Sequence, residues 1–337
     1  MKKVFILFLS AFNLISCGNE AKIDSQEHNG EALGTTYMIR YFSDTDLDFK
    51  KSLDSIFDNI NSSMSTYITK SDISRINRGD TTVQVDDHFV NVFNTSDKVF
   101  KETYGFFDPT VGVLVNAYGF GPEKALKQID SVKLDSLQNL VGFEKIKLKE
   151  DRTIQKDDPL VYLDFNAIAK GYTIDVIAEY LESKNVENYL IELGGELRAK
   201  GRNLENDNHW VVGIDDPNQE KGDRSLQAKV KLENAAMATS GNYRKYRMDT
   251  LTGQKYVHTI NPKTGEAERS NLLSASVLAE NCMMADAYAT AFMALGLDRT
   301  KEVLQNLEAV EVYILYSSKE GKMEIFSTPG FQKQLLD

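Results

Sequence analysis

The sequence predicts an α+β fold, with mixed sheets and helices packed against them. Three observations predict it. Short runs of branched and alternating apolar residues recur between positions 35 and 326. Segments with apolar residues at helical spacing lie among them. The two kinds do not alternate as regular βαβ units, which disfavours a doubly wound sheet. Hydrophobic residues make up 42% of the 337 and charged residues 26%, enough for a packed core without staples.

The elements follow in order. Residues 35–42 mix Thr, Tyr, Met and Ile and read as a strand. Phe49, Leu53, Ile56, Phe57 and Ile60 recur at helical spacing. A short polar helix is expected over 71–77, capped by Ser71 or Asp72. Another runs over 89–102 with Phe89, Val92, Phe93, Val99 and Phe100 as its buried stripe. Residues 104–122 (YGFFDPTVGVLVNAYGFGP) are rich in Gly and aromatics, and the expectation there is a loop that builds a ligand wall. A strand over 160–165 and a helix over 167–181 come next, then a strand at 189–193 ending in Gly194-Gly195. Residues 210–214, 226–232 and 272–279 read as strands, and 285–295 as a helix of small residues. A last helix, a strand at 310–316 and a hairpin partner at 323–326 close the fold. There is no internal repeat and no low-complexity tract.

The first sixteen residues read as a leader. Lys2 and Lys3 precede an apolar stretch from Val4 to Ile15, too short to span a bilayer, which needs about 20 residues. It ends in Leu14-Ile15-Ser16-Cys17, a lipobox-like site, so Cys17 is expected to be the acylated first residue of the mature chain. Residues 17–30 are polar and read as a tether, with one domain over 31–337. The expected location is the extracytoplasmic side of a membrane, inner or outer. Cys282 is the only other cysteine, so no intramolecular disulfide is possible once Cys17 is lipidated. The net charge is −11, or −13 once Lys2 and Lys3 leave with the leader. That balance argues against a nucleic-acid partner, which needs a basic field.

Four stretches can carry chemistry. In Leu163-Asp164-Phe165-Asn166-Ala167-Ile168-Ala169-Lys170-Gly171 a strand turns into a helix, whose free N–H groups suit a phosphate. Asp164 and Lys170 add a carboxylate and a cation there, although Asp164 or Asn166 could equally be a plain N-cap. Glu192-Leu193-Gly194-Gly195-Glu196 reads first as a tight turn. Thr239-Ser240-Gly241-Asn242-Tyr243 and His258-Thr259-Ile260-Asn261-Pro262-Lys263-Thr264-Gly265 are turn chemistry. Asp286 and Thr290 lie four apart, so a helix puts both oxygens on one face, which suits Mg²⁺; the alternative is a cap and a back-bonded hydroxyl. Zinc is disfavoured because no Cys/His set exists.

Taken together and in order, GTTY, MSTY, FDPTVG, LDFNAIAKG, LGGE, TSGNYR, HTINPKTG and ADAYATA resemble the ApbE-type flavin transferases, from about Gly34 to Leu295. The resemblance implies an ApbE-like catalytic domain that moves FMN from FAD to a threonine hydroxyl of an acceptor protein, releasing AMP. It implies Mg²⁺ held by the Ala167 carbonyl, Asp286 and Thr290. It implies FAD contacts at Tyr67, Phe107, Asp108, Asp164, Lys170 and Ile260. His258 is the candidate base, because a free histidine titrates near neutrality, and Asp164 is its competitor. The implied partners are flavoprotein subunits of membrane redox complexes. Two departures stand out: Ala289 replaces an aspartate common in the family, and Leu33 replaces a methionine of similar volume. The alternatives are an FAD pyrophosphatase, which uses the same groups with water as nucleophile, and a non-catalytic flavin-binding lipoprotein.

Overall fold

The computed structural model describes residues 23–336, apart from 46, 127, 218, 220–224, 242–245, 249–254, 258 and 268–270. The leader, Cys17 and His258 lie outside the described residues. Strands β1 (Asp24–Ala32) and β2 (Thr35–Ser43) form a hairpin. Helices α1 (Phe49–Met64), α2 (Asp72–Asn77), α3 (Asp87–Glu102), α4 (Gly112–Tyr118) and α5 (Ser131–Gln138) follow. A small hairpin of β3 (Ile146–Leu148) and β4 (Ile154–Lys156) precedes α6 (Ala169–Ser183). Then come β5 (Tyr189–Leu193), β6 (Glu196–Lys200), β7 (Trp210–Asp215), β8 (Leu226–Leu232) and β9 (Ala235–Gly241). The short pair β10 (Tyr246–Met248) and β11 (Lys255–Val257) leads to β12 (Leu272–Ala279). The chain ends with α7 (Cys282–Leu295), α8 (Leu297–Leu304), β13 (Glu311–Ser317), β14 (Met323–Ser327), α9 (Pro329–Gln332) and β15 (Leu335–Leu336).

One eight-stranded sheet, ordered β1-β2-β5-β6-β9-β12-β13-β14 and antiparallel throughout, forms the middle layer. Both of its faces are covered, and the period-2 alternation of its strands shows how. Val312 and Ile314 of β13 face the helices, whereas Tyr313 and Leu315 meet Trp210, Val212 and Phe331 on the other side. In β5, Tyr189, Ile191 and Leu193 pack with α1 and α6, and Leu190 points the opposite way. The three-stranded sheet β15-β8-β7 supplies that opposite cover. The α+β expectation therefore holds, with antiparallel sheets, helices on one face and a small sheet on the other.

Four local expectations are corrected. Residues 24–30, read as tether, belong to strand β1. Its backbone pairs along β2 from Asp24–Ser43 to Ala32–Thr35, and His28 stacks on Tyr41 at 5.8 Å between ring centroids. An edge strand needs backbone pairing more than apolar side chains, so its polar composition hid it. Residues 160–165 are extended but not a strand: Val161, Leu163 and Phe165 are buried with period 2, yet no neighbouring strand pairs with them. The Gly-rich stretch 104–122 contains helix α4, ended by Gly119 in the left-handed conformation at φ 81°. Thr239-Ser240-Gly241, read as a turn, completes strand β9 beside β12.

Helices α6 and α7 meet at unusually close range. A Cβ on Gly171 would lie 2.3 Å from the Cys282 carbonyl oxygen and 2.9 Å from Asp286 Cβ. Each helix caps the other across this contact. The Gly171 N–H donates to Asp286 Oδ2 at 3.1 Å. In return the Cys282 and Met283 N–H groups donate to Asp175 Oδ1 and Oδ2 at 2.9 and 2.8 Å. Arg198 of β6 closes on Asp175 at 2.6 Å. Burial pushes the Asp175 carboxyl up, against the two N–H groups and Arg198 that favour its charged form. Gly171→Ala is expected to destabilise the fold by about 1–3 kcal/mol, because backbone rather than a flexible side chain blocks the new methyl. Urea unfolding followed by circular dichroism checks this.

Candidate active site

The α6–α7 junction brings four predicted residues together. Asp286 is 3% exposed, and Lys170 Nζ lies 3.7 Å from its Oδ2. The same ammonium donates to Glu196 Oε1 at 2.8 Å. Desolvation pulls the Lys170 ammonium down, but Asp286 and Glu196 together outweigh it, so it stays protonated well above the usual range. Burial raises the Glu196 carboxyl, with Lys170 opposing and Asp286 adding to the rise. Two buried carboxylates thus face one ammonium. Glu196 reaches this place because Gly194 (φ 65°) and Gly195 (φ 99°) both take positive φ, the condition of a type I′ hairpin between β5 and β6.

The geometry fits a hard cation such as Mg²⁺. In an uninterrupted helix the Gly171 N–H would donate to the Ala167 carbonyl, but it turns to Asp286 instead. Among the described residues nothing then donates to the Ala167 oxygen. One turn along α7 from Asp286, the Thr290 hydroxyl has a single 3.3 Å contact, to Ser240 of β9. Glu196 Oε2 is buried without a hydrogen-bond partner. Every candidate ligand atom in the set is oxygen. No group of three or more His, Cys, Asp or Glu side chains forms a metal cage among the described residues.

The adjoining wall is built from loops. Leu163 has no strand partner, so Asn77 at the end of α2 replaces one: its side chain donates to the Leu163 carbonyl and accepts the Leu163 N–H, both at 2.8 Å. The next residue, Asp164, donates its N–H to the Pro109 carbonyl at 2.8 Å. A Cβ on Gly112 would sit 2.9 Å from Asp164 Cβ, so the FDPTVG stretch packs directly on this carboxylate. Asp164 Oδ1 accepts from Asn166 N at 2.7 Å, and burial raises its carboxyl against that bond. It caps the turn before α6 and is half-buried. Tyr67 is 61% exposed, and its hydroxyl is raised by burial and by Asp164. Asn166 reaches Thr66 at 3.3 Å, which ties this tyrosine's loop to the wall.

Other predicted contacts have structural occupations. Phe107 lies in the core at 2% exposure. Asp108 caps the short helix after it, accepting the Thr110 N–H and hydroxyl at 2.8 and 2.6 Å. Burial pushes its carboxyl up to about 6 despite those two bonds. Ile260 packs in a small cluster with Leu114, Leu137 and Val141, which anchors the start of the NPKTG turn. Sequence reasoning missed Asn77, Asp175, Glu196 and Ser240 as site-building residues. Glu196 and Ser240 carried a usable signal, their places in the LGGE and TSGNYR motifs.

A sequence profile of the ApbE family matches residues 33–314. The chain belongs to the ApbE family. Among its relatives is the FAD:protein FMN transferase of Haemophilus influenzae, 37% identical over 336 residues, covering 95% of each chain. That of Vibrio cholerae is 33% identical over 322 residues, covering 94% of each. The solved flavin transferase ApbE from Vibrio cholerae aligns with TM-score 0.82 at 31% identity, over 93% of this chain and 100% of that one. The flavinyl transferase ApbE of Pseudomonas stutzeri in its apo form aligns at 0.81 and 25% identity, over 93% and 97%.

Lys170→Met is expected to leave Glu196 and Asp286 without a counter-charge and to cost about 3–5 kcal/mol of stability. In that variant the folded-state pKa of Glu196, already raised by burial, rises further above its unfolded value. The folded state then binds the extra proton, so the loss is greatest above neutral pH and shrinks as pH falls. Denaturation midpoints from about pH 4 to about pH 9, which bracket the unfolded carboxylate range and neutrality, measure it.

Proposed function

We propose that the chain is an FAD:protein FMN transferase that uses Mg²⁺, acts on a threonine hydroxyl of an acceptor protein and is held at the membrane by a lipid on Cys17. The observation that carries the reading is the junction of Ala167, Asp286 and Thr290 beside Lys170, in a chain of the ApbE family. Mg²⁺ bound there would neutralise charge on the FAD pyrophosphate. Lys170, held by Glu196, presents a fixed ammonium to the same phosphates. Asp286 spends Oδ2 on Gly171 and keeps Oδ1 for the ion. Tyr67 offers an exposed ring for stacking, next to Asp164.

In the reaction, the acceptor oxygen forms a bond to the FMN phosphorus. The bond from that phosphorus to the bridging oxygen breaks, and AMP leaves with the electron pair. The hydroxyl proton passes to a base, for which His258 is the candidate and Asp164 the competitor. The natural acceptor class is a flavoprotein subunit of a membrane redox complex.

Single-turnover transfer to an acceptor protein tests the reading. Asp286→Ala, or treatment with EDTA, is expected to abolish transfer while the fold persists. His258→Ala is expected to lower the rate by ~10²–10⁴-fold with little change in FAD affinity. Full activity of the Asp286 variant would sink the metal assignment. Release of AMP and free FMN with no labelled acceptor would favour the pyrophosphatase. Changing Cys17 to Ser is expected to move the protein from the membrane to the soluble fraction. Mass spectrometry of an unmodified wild-type Cys17 would exclude the anchor.

A further inference from the structure

Beside the active-site wall lies an open cleft of about 690 Å³ lined by Lys70, Arg75, Arg78, Gly79 and Asp80. Its link to the reaction centre is short. Arg78 directly follows Asn77, and Asn77 grips Leu163, the residue before Asp164. Lys70 stands three residues after Tyr67. These links join the cleft's rim to the loop that carries Asp164.

The cleft's charge runs against the chain as a whole, which carries −11. Arg75 is already neutralised, bonded to Asp80 at 2.8 Å and 3.4 Å from Asp72. Thr82, through its hydroxyl and N–H, helps hold Asp80 ionised. Lys70 and Arg78 are exposed and make no ion pair among the described residues. Two free cations thus flank a cleft on an acidic protein. Apolar surface adjoins them: Tyr67, Ile68 and Leu160 are 61%, 40% and 68% exposed. Leu160 sits in a turn that Lys156 ties to the Asn77 carbonyl, so it shares this rim. The platform beneath is rigid, because the Ser71 and Ser74 hydroxyls both return to the Ser65 carbonyl.

We propose that this cleft is the docking groove for the acceptor polypeptide, which enters with an acidic segment beside its reactive threonine. The proposal rests on the transferase reading and names the chemistry of the partner. Lys70 and Arg78 meet the acidic side chains, the exposed apolar rim covers the backbone between them, and the threonine is delivered past Tyr67 to the phosphorus. Rim charges of this kind act on encounter and register more than on the chemical step.

The test uses the full enzyme, FAD, and an acceptor subunit competent with the Vibrio cholerae relative. The double charge reversal K70E/R78E is compared with the milder K70Q/R78Q. The expected result is an acceptor KM raised on the order of tenfold in the reversal and less in the neutral pair. The rate at saturating acceptor, FAD affinity and AMP release without acceptor should stay unchanged. Wild-type KM should rise with salt, and that dependence should flatten in the variants. An acceptor whose flanking Asp and Glu are changed to amides should bind the wild type as poorly as the natural acceptor binds the reversal. Unchanged acceptor KM in both variants overturns the proposal alone. A matching loss of FAD affinity also overturns it and assigns the cleft to FAD. A wild-type enzyme that labels no acceptor overturns the transferase reading, and this proposal with it.

Discussion

The site depends on the close approach of α6 and α7 at Gly171, where each helix supplies the other's missing cap. A helix start leaves N–H groups without partners, and burying them unpaired is expensive. Asp175 of α6 answers two at the start of α7, and Asp286 of α7 answers one at the start of α6. The exchange requires near-contact of the two backbones, and only glycine permits that at position 171. Small residues let α7 sit deep in the core: Ala285, Ala287, Ala289 and Ala291 are wholly buried.

The availability of the site's oxygens follows from this exchange. Because Gly171 turns its N–H to Asp286, the Ala167 carbonyl is released from the helix ladder and becomes a free acceptor. Asp286 is fixed through one oxygen, leaving the other available. Lys170 stands at the second position of α6 and falls between Asp286 and Glu196. Two buried carboxyl groups share one half-buried ammonium, and burial already pushes the Glu196 carboxyl toward its neutral form.

The opposite wall is irregular but pinned. Asn77 acts as a one-residue strand for Leu163, Pro109 receives the N–H of Asp164, and Gly112 lets the two loops touch. Loops held this way can place Asp164 and Tyr67 with the accuracy that a phosphoryl transfer demands. Phe107 and Asp108 serve the same end from within, one by packing and one by capping. Asn77, which holds Leu163, is followed directly by Arg78 of the basic cleft, so the wall and the cleft share a support.

Much of this was legible in the residues themselves. Apolar periodicity marked α1, α3, β12 and β13, because burial of one face imposes a repeat that composition cannot hide. The eight motifs in order identified the family, and the spacing of Asp286 and Thr290 put two oxygens on one helical face. Contacts between distant segments were not legible. Nothing local says that β1, written in polar residues, pairs as an edge strand, or that 160–165 stays unpaired while keeping a strand's alternation. Asn77 and Leu163 are 86 positions apart, and Asp175 and Cys282 are 107 apart. Glu196 read as the end of a turn until the fold set it against Lys170. Local sequence determined which side chains face inward and which chemistry they can offer. Tertiary structure decided which of them meet, because a hydrogen bond or an ion pair needs atoms within a few ångströms, and only the packed chain brings them there.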